Sequence, residues 1–425
     1  MLRHVGVTKV FVPNNIPTVQ AAMSTNDKFD ALATDFAPGQ EVRQGEGNIR
    51  GLMRGDVIPG RLVDFSHGDV DAFTPTPGSF ELFSEAVSAG GRQAYTEYRG
   101  SADIRADLAD KLARFTGAPV NAEDGTILTP GTQGALFLAV AAVVNQGDKV
   151  AIVQPDYFAN RKLVQFFGGQ VVPVAMDYMA SQADAGLDLA QLRAAFEAGA
   201  KVFLFSNPNN PTGAVYSERE IKQIAALAKE FGVTIIADQL YSRLRYEGES
   251  YTHMRAAGLP DDQVVTIMGP SKTESLSGYR LGVAFGSPRV IARMEKLQAI
   301  VTLRAPGYNQ AVLRCWFSEP AGWMDERIRL HQAIRDDLMT IFSEGGFACR
   351  TSQAGSYVFP KLPPLAVDLH DFVKLLRHQA NVIVTPGTEF GPHPHSVRLN
   401  FSQDHAAATD AVRRLVEMAN RYRTN

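Results

Sequence analysis

Four short runs rich in β-branched residues constrain this chain more than any other feature: Lys149-Val-Ala-Ile-Val-Gln154, Val202-Phe-Leu-Phe205, Val233-Thr-Ile-Ile-Ala237 and Val264-Val-Thr-Ile-Met268. None alternates apolar with polar residues, which is the pattern of strands covered on both faces. Between the second and third, Ser217-Glu-Arg-Glu220 has the form of a capping box, and Ile221, Ile224, Leu227 and Phe231 follow at helical spacing. Strands alternating with such helices over residues 100–290 predict an α/β fold, with a large domain whose mostly parallel sheet is flanked by helices.

Beyond about residue 290 the texture changes. Long helical patterns at 323–343 and 404–422, with short strands near 356–360, 382–384 and 397–401, predict a smaller α+β domain. Residues 1 to about 60 are polar and weakly periodic, so an irregular arm with one helix near 26–35 is expected. The division expected is 1–65 for the arm and part of the small domain, 66–305 for the large domain and 306–425 for the small one, with the break near 300–315. A length of 425 residues agrees with two or three units.

The charge balance narrows the partners. With 45 acidic and 42 basic side chains and a net charge of -3, there is no basic excess for a phosphate backbone, so small molecules rather than nucleic acid are expected. Cys315 and Cys349 lie far apart without histidines at ligand spacing, which reads as two core thiols in a reducing compartment and no metal site. The apolar run 135–144 is about half the length of a membrane span, and the first residues break apolar character too early for a signal peptide. A cytoplasmic protein away from membranes is expected.

Three loops follow the strands. Ser206-Asn-Pro-Asn-Asn-Pro-Thr-Gly213 comes first, where open α/β sheets bind ligands, although a plain turn explains its composition equally well. Asp238-Gln-Leu-Tyr241 comes next, and an aspartate closing a buried strand wants a cationic partner. Gly269-Pro-Ser-Lys-Thr273 is third, with Arg280 shortly after; its Lys272 is a candidate nucleophile, though alone a solvated lysine is the commoner reading.

In this order and spacing, Asn-Pro-Thr-Gly, then Asp-x-x-Tyr, then Ser-Lys with an arginine eight residues later, the chain resembles the class I/II aminotransferases of the pyridoxal phosphate family, the aspartate aminotransferase fold. The resemblance runs over about residues 62–402. It implies pyridoxal 5'-phosphate as cofactor and amino acid and 2-oxo acid substrates. Lys272 is implied as the Schiff-base lysine and proton carrier, Asp238 as the partner of the pyridinium nitrogen, and Asn210 and Tyr241 as partners of the ring's phenolic oxygen. Leu128-Thr-Pro-Gly-Thr-Gln-Gly134 implies a phosphate cradle at Gly131, Thr132 and Gln133, completed by Ser271 and Arg280; alone, it is also an ordinary turn before a helix. Gly269 stands where many relatives carry serine. Tyr157 falls at the position of the aromatic that stacks on the cofactor ring, with a core tyrosine as the alternative.

On the substrate side, Arg398 in Ser396-Val-Arg-Leu-Asn-Phe401 matches the arginine that forks onto the α-carboxylate. Gly68, in His67-Gly68-Asp69, fits the glycine of the loop that closes over the substrate, whereas His67 and Asp69 depart from it. Tyr95, in Tyr95-Thr-Glu-Tyr-Arg-Gly100, matches a tyrosine that reaches the neighbouring subunit's cofactor phosphate, which implies a homodimer with shared active sites; Glu97 replaces a proline common there. Arg304 sits where a small polar residue is usual and is read as a contact for a distal carboxylate or phosphate, or equally as an interface ion pair. The reaction implied is amino-group transfer. A lyase, decarboxylase or oxidase on the same scaffold is the alternative, and a binding module without turnover is disfavoured by Lys272, Asp238 and Arg398 together.

Overall fold

The computed structural model describes residues 24–40 and 47–424. The expected arm over 1–60, and the reading of the first residues, therefore lie in part outside the described residues. Twelve strands appear in chain order among the described residues: β1 Val63–Asp64, β2 Thr126–Pro130, β3 Lys149–Gln154, β4 Gln170–Ala175, β5 Ala200–Ser206 and β6 Thr234–Asp238. The rest are β7 Val264–Met268, β8 Leu281–Gly286, β9 Tyr357–Val358, β10 Val382–Ile383, β11 Thr385–Pro386 and β12 Val397–Asn400.

Seven of them form one sheet in the order β2-β8-β7-β6-β5-β3-β4. The pairs from β4 across to β7 are parallel, while β8 runs antiparallel to both β2 and β7. Helices cover both faces, and the fold is α/β with a mixed, mostly parallel sheet. The four runs singled out in the sequence are four of its five interior strands, buried where they carry apolar residues. Three strands carry weaker sequence signals. Gln170–Ala175 holds Pro173 and lies at the sheet edge, where proline is tolerated and burial is partial. Thr126–Pro130 and Leu281–Gly286 are interrupted by proline and glycine, and Gly282 is required by packing: a Cβ there would lie 2.4 Å from the backbone carbon of Gly131.

The capped helix is Glu218–Phe231, with the full capping box at Ser217 and Glu220 and a left-handed Gly232 at its end. The helix expected to begin at Ala135 starts earlier, at Gly131, and runs Gly131–Val143. Near the N-terminus, Thr25–Asp30 is shorter than expected. Trp323–Glu344 and His405–Arg421 match the late helical patterns, and Leu369–Ala380 adds one that the sequence reading did not identify. Among the described residues, no helix is long and apolar enough to cross a membrane. Both cysteines are unbonded, and burial pushes their thiols up to about 11 and about 12.

One core cluster joins the two ends of the described chain. Ile49, Val63, Phe65 and Phe73 are buried with Phe372, Leu399, Leu415 and Tyr422. β1 pairs in parallel with β10, and β12 lies between β11 and β9. This arrangement carries residues 64–70 to the side of Arg398 and to the edge of the large sheet.

Candidate active site

A cavity of about 440 Å³ opens where the carboxyl ends of β5, β6 and β7 meet the start of the helix Gly131–Val143. Ligands gather at this edge of open α/β sheets because backbone N–H groups and helix starts face it. Because β8 runs the opposite way, its first end lies at the same edge, which brings Arg280 there as well. Thr132, Gln133, Tyr157, Asn210, Asp238, Tyr241, Ser271, Lys272, Arg280 and Arg398 all line this one space, although they come from six separate loops and strand ends.

At the helix start, no side chain caps the first turn, so its N–H groups are available to an anion. Gly131 has φ +75°, and a Cβ on it would lie 2.5 Å from Nη2 of Arg280, so the guanidinium occupies the space a side chain would take. Arg280 itself adopts a left-handed conformation at φ 55°, ψ 57°, uncommon for arginine, and its Nη1 donates to the Ser277 carbonyl at 3.0 Å. Ser271, whose hydroxyl donates to the Leu281 carbonyl at 3.3 Å, and Thr132 add polar groups. An uncapped helix end with an arginine, a serine and a threonine fits a phosphate.

Asp238 closes β6 and accepts a hydrogen bond from the Leu240 N–H at 3.1 Å. Burial pushes its carboxyl up to about 6, so a cation brought against it would favour the charged form. Behind it lies Asp156, pushed up to about 8 by burial. Asp156 accepts from the Ser206 N–H at 3.0 Å and its hydroxyl at 2.6 Å, and the Ser206 oxygen accepts from the Asn210 N–H at 3.1 Å. This second layer fixes the Asn210 loop and was not read from the sequence. A carboxylate that could pair with a ring cation and a helix start that could hold a phosphate are the two features a pyridoxal phosphate site needs, and Asp238 and the Gly131–Arg280 corner fit them.

Tyr157 donates its hydroxyl to Oε1 of Gln133 at 3.0 Å, and Tyr241 donates to the Tyr357 hydroxyl at 2.6 Å. Burial pushes both phenols well up, so they serve as neutral hydrogen-bonding groups. Arg398 is 2% exposed, and it donates to Oδ1 of Asn210 at 3.1 Å and to the Ser66 carbonyl at 3.0 Å. Its guanidinium lies 4.4 Å from the Tyr357 ring centroid and 4.9 Å from that of Phe390, and its Nε has no partner among the described residues. A buried cation held only by neutral groups calls for an anion.

Gly68 lines an adjoining cavity of about 270 Å³ together with Ser271, Lys272 and His67. Tyr95 and Arg304 lie outside both cavities; Tyr95 is 83% exposed, and Arg304 stacks over the rings of Tyr95 and Tyr98 at 5.5 and 5.6 Å. Pro38, Gly39, Ser66 and Tyr357 line the main cavity without having been identified in the sequence. Only the Pro-Gly turn signal at 38–39 was legible, and it says nothing about where the turn docks. His67 lines both cavities, its Nε2 lying 3.3 Å from Oδ2 of Asp64 and its Nδ1 3.0 Å from the Gly68 carbonyl. The Asp64 hydrogen bond holds its imidazole charged, with its pKa raised to about 9.

Comparison with known proteins places this geometry in context. The sequence model described as aminotransferase class I and II matches residues 61–415. The aspartate/prephenate aminotransferase of Thermus thermophilus is 29% identical over 369 residues, covering 85% of this chain and 91% of that protein. Among solved structures, an aspartate aminotransferase from Rhodobacter sphaeroides is 65% identical with a TM-score of 0.91, covering 94% of this chain and 100% of the other. The Thermus thermophilus aspartate aminotransferase with maleate is 26% identical with a TM-score of 0.79, covering 90% and 96%.

Proposed function

This chain belongs to the class I and II aminotransferases, and from that premise we propose that it uses pyridoxal 5'-phosphate to move an amino group between an amino acid and a 2-oxo acid, with Lys272, Asp238 and Tyr241 as its catalytic residues. The observation that carries the reading is the meeting of Lys272, Asp238, Arg280 and Arg398 around one cavity. When bound, the cofactor supplies an electron sink conjugated to the substrate α-carbon. Gly131, Thr132, Gln133, Ser271 and Arg280 hold its phosphate, Tyr157 faces its ring, Asp238 pairs with its ring nitrogen, and Asn210 and Tyr241 bind its phenolic oxygen. Lys272 would be the residue that holds the cofactor carbonyl, and its amine is placed to take the proton from the substrate α-carbon.

Arg398 and Asn210 orient the substrate α-carboxylate, which aligns the α-C–H bond for Lys272. Gly68 lets its loop lie close to Ser402 beside the cavity: a Cβ there would lie 3.3 Å from that of Ser402. We take the functional unit to be a homodimer in which Tyr95 and Arg304 serve the partner's site. The exposed apolar side chains around them, Ile300 at 81% and Leu303 at 55%, support such an interface. Residues 66–305 act as the cofactor-binding domain and 306–425, with the N-terminal segment, as the smaller one. The two unbonded cysteines fit a cytoplasmic setting.

The names of the relatives make aspartate the first donor to test. With aspartate and 2-oxoglutarate, the purified protein should give 2-oxo acid and new amino acid in equal amounts. Ammonia, carbon dioxide or peroxide as the matching product would instead identify a lyase, a decarboxylase or an oxidase.

A further inference from the structure

Among the described residues, four cationic side chains line the main cavity: Lys272, Arg280, Arg398 and His67. On the proposed reading, which this inference rests on, the first three are matched to the cofactor carbonyl, the cofactor phosphate and the substrate α-carboxylate. We infer that His67 is a specificity-determining residue that receives the second, distal carboxylate of a dicarboxylic substrate.

Its geometry supports this. Both ring nitrogens face acceptors, the Asp64 carboxylate at 3.3 Å and the Gly68 carbonyl at 3.0 Å. A neutral imidazole has one N–H, so only the imidazolium donates to both. Asp64 lines neither the main nor the adjoining cavity, and its Oδ1 accepts from the Ser66 N–H at 2.8 Å. His67 thus borders the two cavities that Lys272 lines, while Asp64 borders only a further cavity of about 280 Å³ that His67 also lines. The His67 side chain is 62% exposed, so an incoming carboxylate can share Nε2 without a rearrangement of the core.

The adjoining cavity offers little competition. His331 on its wall is kept neutral by burial, which lowers it to about 3. Asp69 turns its Oδ1 to the N–H groups of Asp71 and Ala72, at 2.9 and 3.3 Å. Ser402 and Asn400 supply neutral hydrogen-bonding groups beside the cation.

The test uses the full chain loaded with pyridoxal 5'-phosphate and two readouts: the ratio of kcat/KM for aspartate to that for phenylalanine, and calorimetric affinities for succinate and butyrate. His67→Ala should lower the aspartate preference and the succinate-to-butyrate affinity ratio by about five- to tenfold, leaving butyrate binding unchanged, and His67→Lys should restore both. Ratios unchanged in His67→Ala overturn the inference, as does a loss seen in Arg304→Ala instead. Should no donor yield a 2-oxo acid, the proposed reaction fails, while the succinate ratio still decides the role of His67.

Discussion

The sheet-side wall of the cavity takes Asn210, Asp238, Lys272 and Arg280 from loops that abut interior strands, each paired to neighbours on both sides. The facing wall takes Pro38 and Gly39, Ser66 and His67, Tyr357 and Arg398 from segments distant in sequence. Those segments are joined by the two-residue pairing of β1 with β10, by short strands, and by single hydrogen bonds such as that from Arg398 to the Ser66 carbonyl. The first wall is positioned by a continuous ladder of strands, whereas the facing wall is positioned by side-chain packing between segments far apart in sequence. The first suits a group that stays, the second a substrate that comes and goes.

Substitutions on the two walls should therefore fail differently. Lys272→Ala, on the sheet side, is expected to lower amino-group transfer by about 10³-fold or more while the Arg280 cradle still retains the cofactor phosphate. Single-turnover assays and cofactor content after dialysis check this, and wild-type turnover would break the assignment. Arg398→Ala, on the facing wall, should lower kcat/KM by about 10²-fold with cofactor content unchanged, because it removes one side of a desolvated ion pair. Cofactor loss in that variant would show that the walls are not separable.

The smallest effect concerns the His67–Asp64 pair. Its folded pKa lies at about 9 against an ordinary 6.5, so its stabilisation is full below 6.5 and is lost as pH rises through about 9. The melting-temperature gap between wild type and Asp64→Asn should be about 1 °C near pH 6 and vanish above the folded pKa. A gap that grows with pH would refute the charged pair.

The same contrast explains what was legible in advance. The interior strands announce themselves because burial on both faces demands unbroken apolar runs, and the loops after them carry the residues that now line the cavity. Pro173 in the edge strand β4 and the glycines of β8 obscured those strands: an edge tolerates proline, and at Gly282 packing against Gly131 overrode local propensity. Arg398 was found through its motif, but Tyr357 has no local signal, and the turn signal at Pro38 does not say where the turn docks. His67 stood out only as a departure, and its partner Asp64 became meaningful when the turn set the Asp64 carboxylate and the Gly68 carbonyl against the two nitrogens of the imidazole.

By itself, then, the sequence determined the α/β class, the buried strands and the loops at their ends, because strand periodicity and turn residues act over short distances; the roles proposed for Lys272, Asp238 and Arg280 came from the family resemblance of those loops. Only the tertiary structure decided that the ends of the chain share one core, that Asp156 and Ser206 brace the Asn210 loop, and that a charged histidine faces the cavity. The first and last outcomes depend on packing between segments far apart in sequence, such as Arg398 against the Ser66 carbonyl, and the second on residues 50 positions apart, which no local pattern encodes.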